Sequence, residues 1–144
     1  MKKMILGISP FLVQTLAITL NFNSLLQGSA ATGMNIAVSL FYFGFWICFI
    51  PAMKRYNANR GLLTSLVFWG LVLLTALLTL TVNIVDIDLP LLVPFTILFL
   101  APTYGVRIAQ LSNMAALSII AIIAIVYIVY CAVEAKRVKK QHKE

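Results

Sequence analysis

Long apolar runs dominate this chain, and charged residues are missing from three stretches of it. No Asp, Glu, Lys or Arg occurs at 4–53, 61–85 or 108–133. A helix that crosses about 30 Å of hydrocarbon needs roughly 20 apolar residues. Four segments meet this length: 4–22, 34–53, 62–82 and 113–133. The pattern therefore predicts an all-α, polytopic membrane helical bundle with four transmembrane helices.

A fifth apolar stretch, 89–104, is interrupted by Pro90, Pro94 and Pro102. Proline removes a backbone donor and clashes with the preceding helical turn. Asp88 is placed to cap a short helix whose first turn holds Pro90. We therefore expect a proline-broken half-helix that re-enters the membrane or lies at its interface.

The distribution of basic residues predicts the orientation. With four spans and both termini inside, ten Lys and Arg residues lie on the cytoplasmic side and Arg107 alone lies outside. A fifth crossing at 89–104 would change this ratio to six against five. Because short cytoplasmic loops carry excess Lys and Arg, four spans are favoured over five. We expect a multi-pass protein of the plasma membrane with both termini in the cytoplasm.

The two ends of the chain bear on its organisation. Lys2 and Lys3, an apolar run and then Gly28-Ser29-Ala30 are also typical of a secretory signal. Cleavage there would leave three spans, but the uncharged run is longer than usual, so retention is favoured. Residues 1–133 are predicted to form one transmembrane domain. Residues 134–144 are predicted to form a basic cytoplasmic tail that extends the last helix and meets anionic lipid.

Composition supports a membrane protein and argues against several other classes. Apolar residues make up 62% of the chain and charged residues 10%, against about 25% charged in soluble domains. The net charge of +7 lies beside apolar spans, which indicates membrane orientation rather than nucleic-acid binding. Cys48 and Cys131 are interpreted as buried, reduced residues. No heptad array or internal repeat is visible.

Catalytic and metal-binding groups are scarce. The single histidine, His142, lies in the tail, so Ser/His/Asp and Cys/His catalysis within the membrane are excluded. The spacing of His, Cys and carboxylate residues does not fit a zinc site. We expect a protein that is not an enzyme and holds no cofactor or metal.

Three charged residues flank the proline-broken segment. Asp86, Asp88 and Arg107 could bind a ligand or gate a path at its mouth. Alternatively, Asp88 is only a helix cap and Arg107 is its ion-pair partner. The second interpretation is favoured, because exposed pairs of this kind are common structural features.

Other polar and aromatic residues within the spans are interpreted mainly as packing groups. Small residues recur every three positions in the last span, which suggests a helix-packing face within or between chains. Polar residues of the first three spans would bond neighbouring helices or their own backbone, or line a polar path. Aromatic residues of the second span would form an interfacial belt or, alternatively, a groove for an apolar ligand. The small residues are Ala115, Ser118, Ala121 and Ala124, and the polar ones include Gln14, Asn35, Ser39, Thr75 and Thr79.

The architecture resembles that of small bacterial membrane proteins: transport accessory subunits, peptide-toxin immunity proteins and small multidrug exporters. The exporters use a membrane-embedded Glu in their first helix, which the first span here lacks. We expect a non-catalytic accessory, regulatory or immunity-type subunit that contacts another membrane component, either a second copy or a partner protein. The alternative is a small oligomeric transporter or channel with 86–107 on its substrate or ion path. An enzyme acting on lipid is the least favoured interpretation.

Overall fold

The computed structural model describes residues 2–56, 59–108 and 111–141, with the side chains of 2–6, 59 and 139–141 left out. The described chain is helical and contains no strand, which confirms the all-α bundle. Its helices are α1 Lys2–Gln27, α2 Gly33–Arg55, α3 Asn59–Val85, α4 Leu92–Val106 and α5 Asn113–Gln141. The end of the predicted tail, 142–144, lies outside the described residues.

Three helices are long and apolar enough to cross a membrane within the described residues: Gly33–Arg55, Arg60–Val85 and Asn113–Val138. They correspond to the second, third and last predicted spans. The predicted first span forms the single helix α1 but is not among them. A crossing by α1 therefore stays a prediction.

The buried faces of α3 and α5 form a seam of coiled-coil type. Their buried positions alternate in steps of three and four residues, as in a heptad repeat. Trp69 and Tyr127 stack at the seam, with ring centroids 4.2 Å apart and planes 10° from parallel. The sequence hides this repeat because the other faces are also apolar. The positions are Leu62, Ser65, Trp69, Val72 and Ala76 on α3, and Leu117, Ile120, Ala124, Tyr127, Cys131, Glu134 and Val138 on α5.

Three of the six aromatic side chains of α2 are buried in the bundle. Tyr42, Trp46 and Phe49 are at most 7% exposed. Trp46 stacks on Phe68 at 5.1 Å and meets Trp69 edge-on at 5.6 Å. The predicted interfacial belt is therefore wrong for these three residues, which form the core instead. Edge-on and offset-stacked rings are the geometries that their quadrupoles favour.

The last helix passes beyond the predicted tail boundary at residue 134. Glu134 and Val138 are buried, and Glu134 forms ion pairs of 2.8 Å with Lys54 and Arg137. The pair with Lys54 joins the C-terminal end of α2 to that of α5, whereas the pair with Arg137 lies within α5. We call this the basic end of the bundle. Cys131 is buried as predicted, whereas Cys48 is exposed, and both are free.

The short helix α4 begins and ends at the opposite end, which we call the hairpin end. Asn83 of α3, Arg107 after α4 and Asn113 of α5 line one cavity there. The middle of α4 nevertheless reaches deep into the bundle, where Phe99 lies 5.9 Å from Phe68. The segment therefore dips between the long helices and returns to the same end.

Candidate functional site: the docked irregular helix

Asp86 lies at the C-terminal end of α3. Its φ of 55° places it in the left-handed region, which Asp tolerates better than most residues. The N–H of Ile87 donates to the Val82 carbonyl at 3.3 Å. This six-to-one bond around a left-handed residue is the Schellman motif that closes many helices.

The predicted cap by Asp88 is wrong. Leu91 occupies the N-cap position of α4, and no side chain forms a capping hydrogen bond to this helix. Asp88 is exposed. Three residues separate Asp88 from the first residue of α4, Leu92. The Asp88 carboxylate is therefore too far back in the chain to accept from the first N–H groups of α4.

Arg107 lies apart from both aspartates. Both ion pairs among the described residues involve Glu134, so the expected Asp88–Arg107 pair does not form. The guanidinium instead lies over the Tyr104 ring, 5.7 Å from its centroid, and donates to the Tyr104 hydroxyl at 3.4 Å. The Arg107 carbonyl accepts the N–H of Ala31 at 2.8 Å, which ties the α1–α2 loop to the end of α4.

Two prolines explain why α4 is irregular. Pro94 lies in the opening α-helical turn, Leu92–Phe95, where a missing donor costs little. Pro102 cannot donate to the carbonyl of Leu98, four residues earlier. The backbone widens to π-helix over Thr96–Leu100 and then tightens to 3₁₀-helix over Ala101–Val106. Several carbonyl groups of α4 therefore need hydrogen-bond donors from outside the helix.

Side chains of α1 and α2 supply those donors. The Gln14 amide donates to the Leu98 carbonyl, the group that Pro102 leaves unpaired. The Asn21 amide donates to the Ala101 carbonyl at 2.8 Å. The Ser39 hydroxyl donates to the Pro102 carbonyl at 2.8 Å. Irregular backbone at membrane depth is tolerated only where protein buries and satisfies it.

These donors are themselves held in place by further hydrogen bonds. The Tyr42 hydroxyl donates to Gln14 Oε1 at 2.7 Å, and Asn35 Nδ2 donates to Asn21 Oδ1 at 2.9 Å. Thr32 and Asn35 form a capping box that starts α2. We call Gln14, Asn21, Asn35, Ser39 and Tyr42 the docking network. All five are at most 8% exposed.

Gly105 allows α4 to approach α2 closely. A Cβ at this position would lie 2.3 Å from the Asn35 carbonyl oxygen and 2.7 Å from Ile36 Cα. The Gly105 N–H donates to Ser39 Oγ at 2.8 Å. Any larger residue would push α4 away from the network. The predicted polar residues Gln14, Asn35 and Ser39 thus serve helix packing, as expected.

A cavity of about 210 Å³ lies beside α4 at the hairpin end. Its polar lining includes Thr79, Asn83, Thr96 and Arg107. The Thr79 and Thr96 hydroxyls lie 3.5 Å apart, and each also donates to a carbonyl of its own helix. Arg107 therefore does border a cavity, one whose lining is mostly apolar, whereas this lining does not include Asp86 or Asp88.

The predicted small-residue stripe of α5 is not one continuous face. Ala121 and Ala124 are buried in the chain's own core, Ala115 is half-buried and Ser118 is exposed. A step of three residues turns an α-helix by about 300°, so successive members rotate away from one another. The Ser118 hydroxyl bonds the Met114 carbonyl at 2.8 Å.

Sequence reasoning missed Asn21, Tyr42 and Glu134. Asn21 lies seven residues after Gln14, a spacing that places two amides on one helix face. Glu134 is an acid at the edge of an apolar run, next to basic neighbours that suggested a tail. Within the described residues, no group of three or more His, Cys, Asp or Glu could hold a metal ion.

Comparison with known proteins finds no matching family model, no similar curated protein and no similar solved structure.

Proposed function

We propose that this chain is a non-catalytic accessory, regulatory or immunity-type subunit that acts through helix contacts with another membrane component. The observation that supports this proposal most directly is the thin packing of α1. Only Gln14, Ala17 and Asn21 are buried along the described side chains of α1. They attach α1 to α2 and α4 through a narrow stripe.

The opposite side of α1 is uncovered. Leu12 and Leu26 are 61% and 60% exposed, and Thr15, Thr19 and Asn23 are also exposed. Steps of three and four residues place these positions on one helical face. We call Leu12, Thr15, Thr19, Asn23 and Leu26 the α1 outer face.

Polarity favours a protein partner for this face over lipid alone. The Thr15 and Thr19 hydroxyls donate to carbonyls of their own helix at 2.9 Å, which leaves small, neutral surfaces that a second helix can approach. The exposed Asn23 amide can donate and accept across a helix interface. Interhelical bonds of this kind stabilise association by about 0.6 kcal/mol on average.

The proposal moves the contact surface from α5 to α1. Ala121 and Ala124 already pack inside this chain, so they are not free to meet a partner. The uneven distribution of basic residues supports a plasma-membrane protein with both termini in the cytoplasm.

Site-specific photo-crosslinking in intact cells tests the contact surface. A photoreactive side chain at Thr19 should give one discrete adduct, whose mass identifies a second copy or a different membrane protein. The matched control is the same side chain at Val126, which is 61% exposed on α5. A discrete adduct from Val126 together with none from Thr19 would refute the α1 interface.

A second candidate, a small oligomeric transporter or channel, is favoured by one observation. The 210 Å³ cavity beside the broken helix is lined by Thr79, Thr96 and Arg107, and discontinuous helices often mark transport sites. If this candidate holds, proteoliposomes should leak small anions, and Arg107→Gln should abolish the leak. Equal flux through Arg107→Gln and the unmodified protein would exclude this cavity as the path.

A further inference from the structure

A second cavity, of about 480 Å³, opens at the basic end of the bundle. Its floor is α2, where Trp46, Phe49 and Met53 are at most 7% exposed. Its walls come from the first half of α1 and the first half of α3. The wall residues include Gly7, Pro10, Phe11, Arg60, Gly61, Thr64 and Phe68.

The hydroxyl and amide side chains of the lining are already hydrogen-bonded, whereas the buried Trp46 indole N–H has no partner. Thr64 donates to the Arg60 carbonyl at 2.9 Å, and Ser65 donates to the Gly61 carbonyl at 2.8 Å. The Gln14 amide is held between Leu98 and Tyr42. An occupant would therefore meet an apolar surface with two polar groups, the Trp46 indole N–H and the guanidinium of Arg60.

Within the described part of the chain, no acid forms an ion pair with Arg60. Both ion pairs among the described residues involve Glu134, which pairs with Lys54 and Arg137. The first acid in the sequence is Asp86, which lies at the hairpin end. A cation at the mouth of an apolar cavity is complementary to an amphipathic anion.

We infer that this cavity binds an anionic phospholipid, with an acyl chain against Trp46 and Phe68 and the phosphate at Arg60. A planar guanidinium matches phosphate oxygens in a bidentate geometry. The volume lies within the roughly 300–1,000 Å³ of ordinary ligand pockets. The inference is independent of the α1 outer face and stands if no partner protein is found.

Tryptophan quenching by brominated lipids tests the inference with the full-length protein. Nanodiscs would hold a low mole fraction of phosphatidylglycerol or phosphatidylcholine with brominated acyl chains. Quenching should saturate, and it should favour phosphatidylglycerol by about fivefold, the gain expected from one basic contact at a membrane surface. The Trp46→Phe variant should lose this quenching, which assigns the signal to the cavity.

Two matched pairs of variants separate the parts of the site. Gly7→Leu should block the cavity, whereas Gly44→Leu should not, because a Cβ at either glycine meets nothing within 4 Å and only Gly7 lines the cavity. Arg60→Gln should remove the preference for phosphatidylglycerol, whereas Arg55→Gln should keep it.

The remaining outcomes overturn the inference. Equal quenching by the two lipids would mean that the cavity takes any acyl chain and that Arg60 selects nothing. Quenching by neither lipid would mean that the cavity holds no phospholipid chain. Equal losses in Gly7→Leu and Gly44→Leu would mean that the signal does not come from this cavity.

Discussion

The Gln14 side chain donates its amide hydrogen to the carbonyl of Leu98, the group that Pro102 leaves without a helical donor. One amide thus compensates for one proline on a different helix. The Oε1 atom of the same Gln14 side chain accepts a hydrogen bond from the Tyr42 hydroxyl at 2.7 Å. Because the Gln14 amide satisfies this carbonyl, the broken helix α4 can be buried without an unpaired polar group at Leu98.

We expect Gln14→Leu to destabilise the protein by about 1–3 kcal/mol, because it leaves the Leu98 carbonyl and the Tyr42 hydroxyl without partners. Pro102→Ala restores a backbone N–H, so it should reduce the cost of Gln14→Leu in the double mutant. Chemical unfolding in detergent measures all three variants. Thr81→Leu, at an exposed position of α3, is the silent control. Strictly additive effects would contradict the coupling between Gln14 and Pro102.

Asp86 should behave as a backbone position and Asp88 as an ordinary surface residue. With φ at 55°, Asp86→Val should cost about 1–2 kcal/mol, because a branched residue is strained in the left-handed region. Asp86→Gly should be neutral or stabilising. Asp88→Ala should change stability by less than about 0.5 kcal/mol. Thermal unfolding in detergent measures the series, and a larger effect at Asp88 than for Asp86→Val would restore the capping role.

Glu134 should contribute more to stability than either of its basic partners. It is 5% exposed, joins α5 to α2 through Lys54 and pairs with Arg137 on its own helix. Glu134→Ala should cost about 1–2 kcal/mol, since both partners keep access to water that partly compensates them. Lys54→Ala and Arg137→Ala should each cost less, because the other cation remains. Lys136→Ala, on the exposed side of α5, is the control. Thermal unfolding would contradict this view if Glu134→Ala matched that control.

Substitutions on α5 should distinguish core packing from a partner surface. Ala124 is 0% exposed, so Ala124→Leu should overpack the α3–α5 seam and cost about 1–3 kcal/mol. Ser118→Leu lies on the exposed side and should be silent. Unfolding in detergent measures the stability of both variants, and an oligomer assay measures their association. Normal stability with lost oligomerisation in Ala124→Leu would show instead that α5 is the partner surface.

The orientation can be checked by labelling single cysteines from outside intact cells, in a background with Cys48→Ala and Cys131→Ala. Asp88→Cys and Ser112→Cys flank α4 and are exposed, and both should be labelled. Arg55→Cys, at the basic end, should react only after the cells are permeabilised. Labelling of Asp88→Cys and Ser112→Cys from opposite sides would require a full crossing by α4.

The sequence by itself determined the helical membrane class and the approximate positions of the long helices. The reason is that apolar runs of about 20 residues have few other stable arrangements. It also located the interruption at 89–104, because Pro94 and Pro102 break a regular helix in any environment.

Only the tertiary structure decided which side chains face which neighbour. Ala121, Cys131 and Trp46 lie in helices that are apolar on every side, so periodicity in the sequence cannot separate the core from the lipid-facing surface. The role of Gln14 depends on a carbonyl 84 residues away, and that of Glu134 on Lys54 in another helix. Contacts between residues so distant in sequence form only when the helices pack, and local pattern does not encode them.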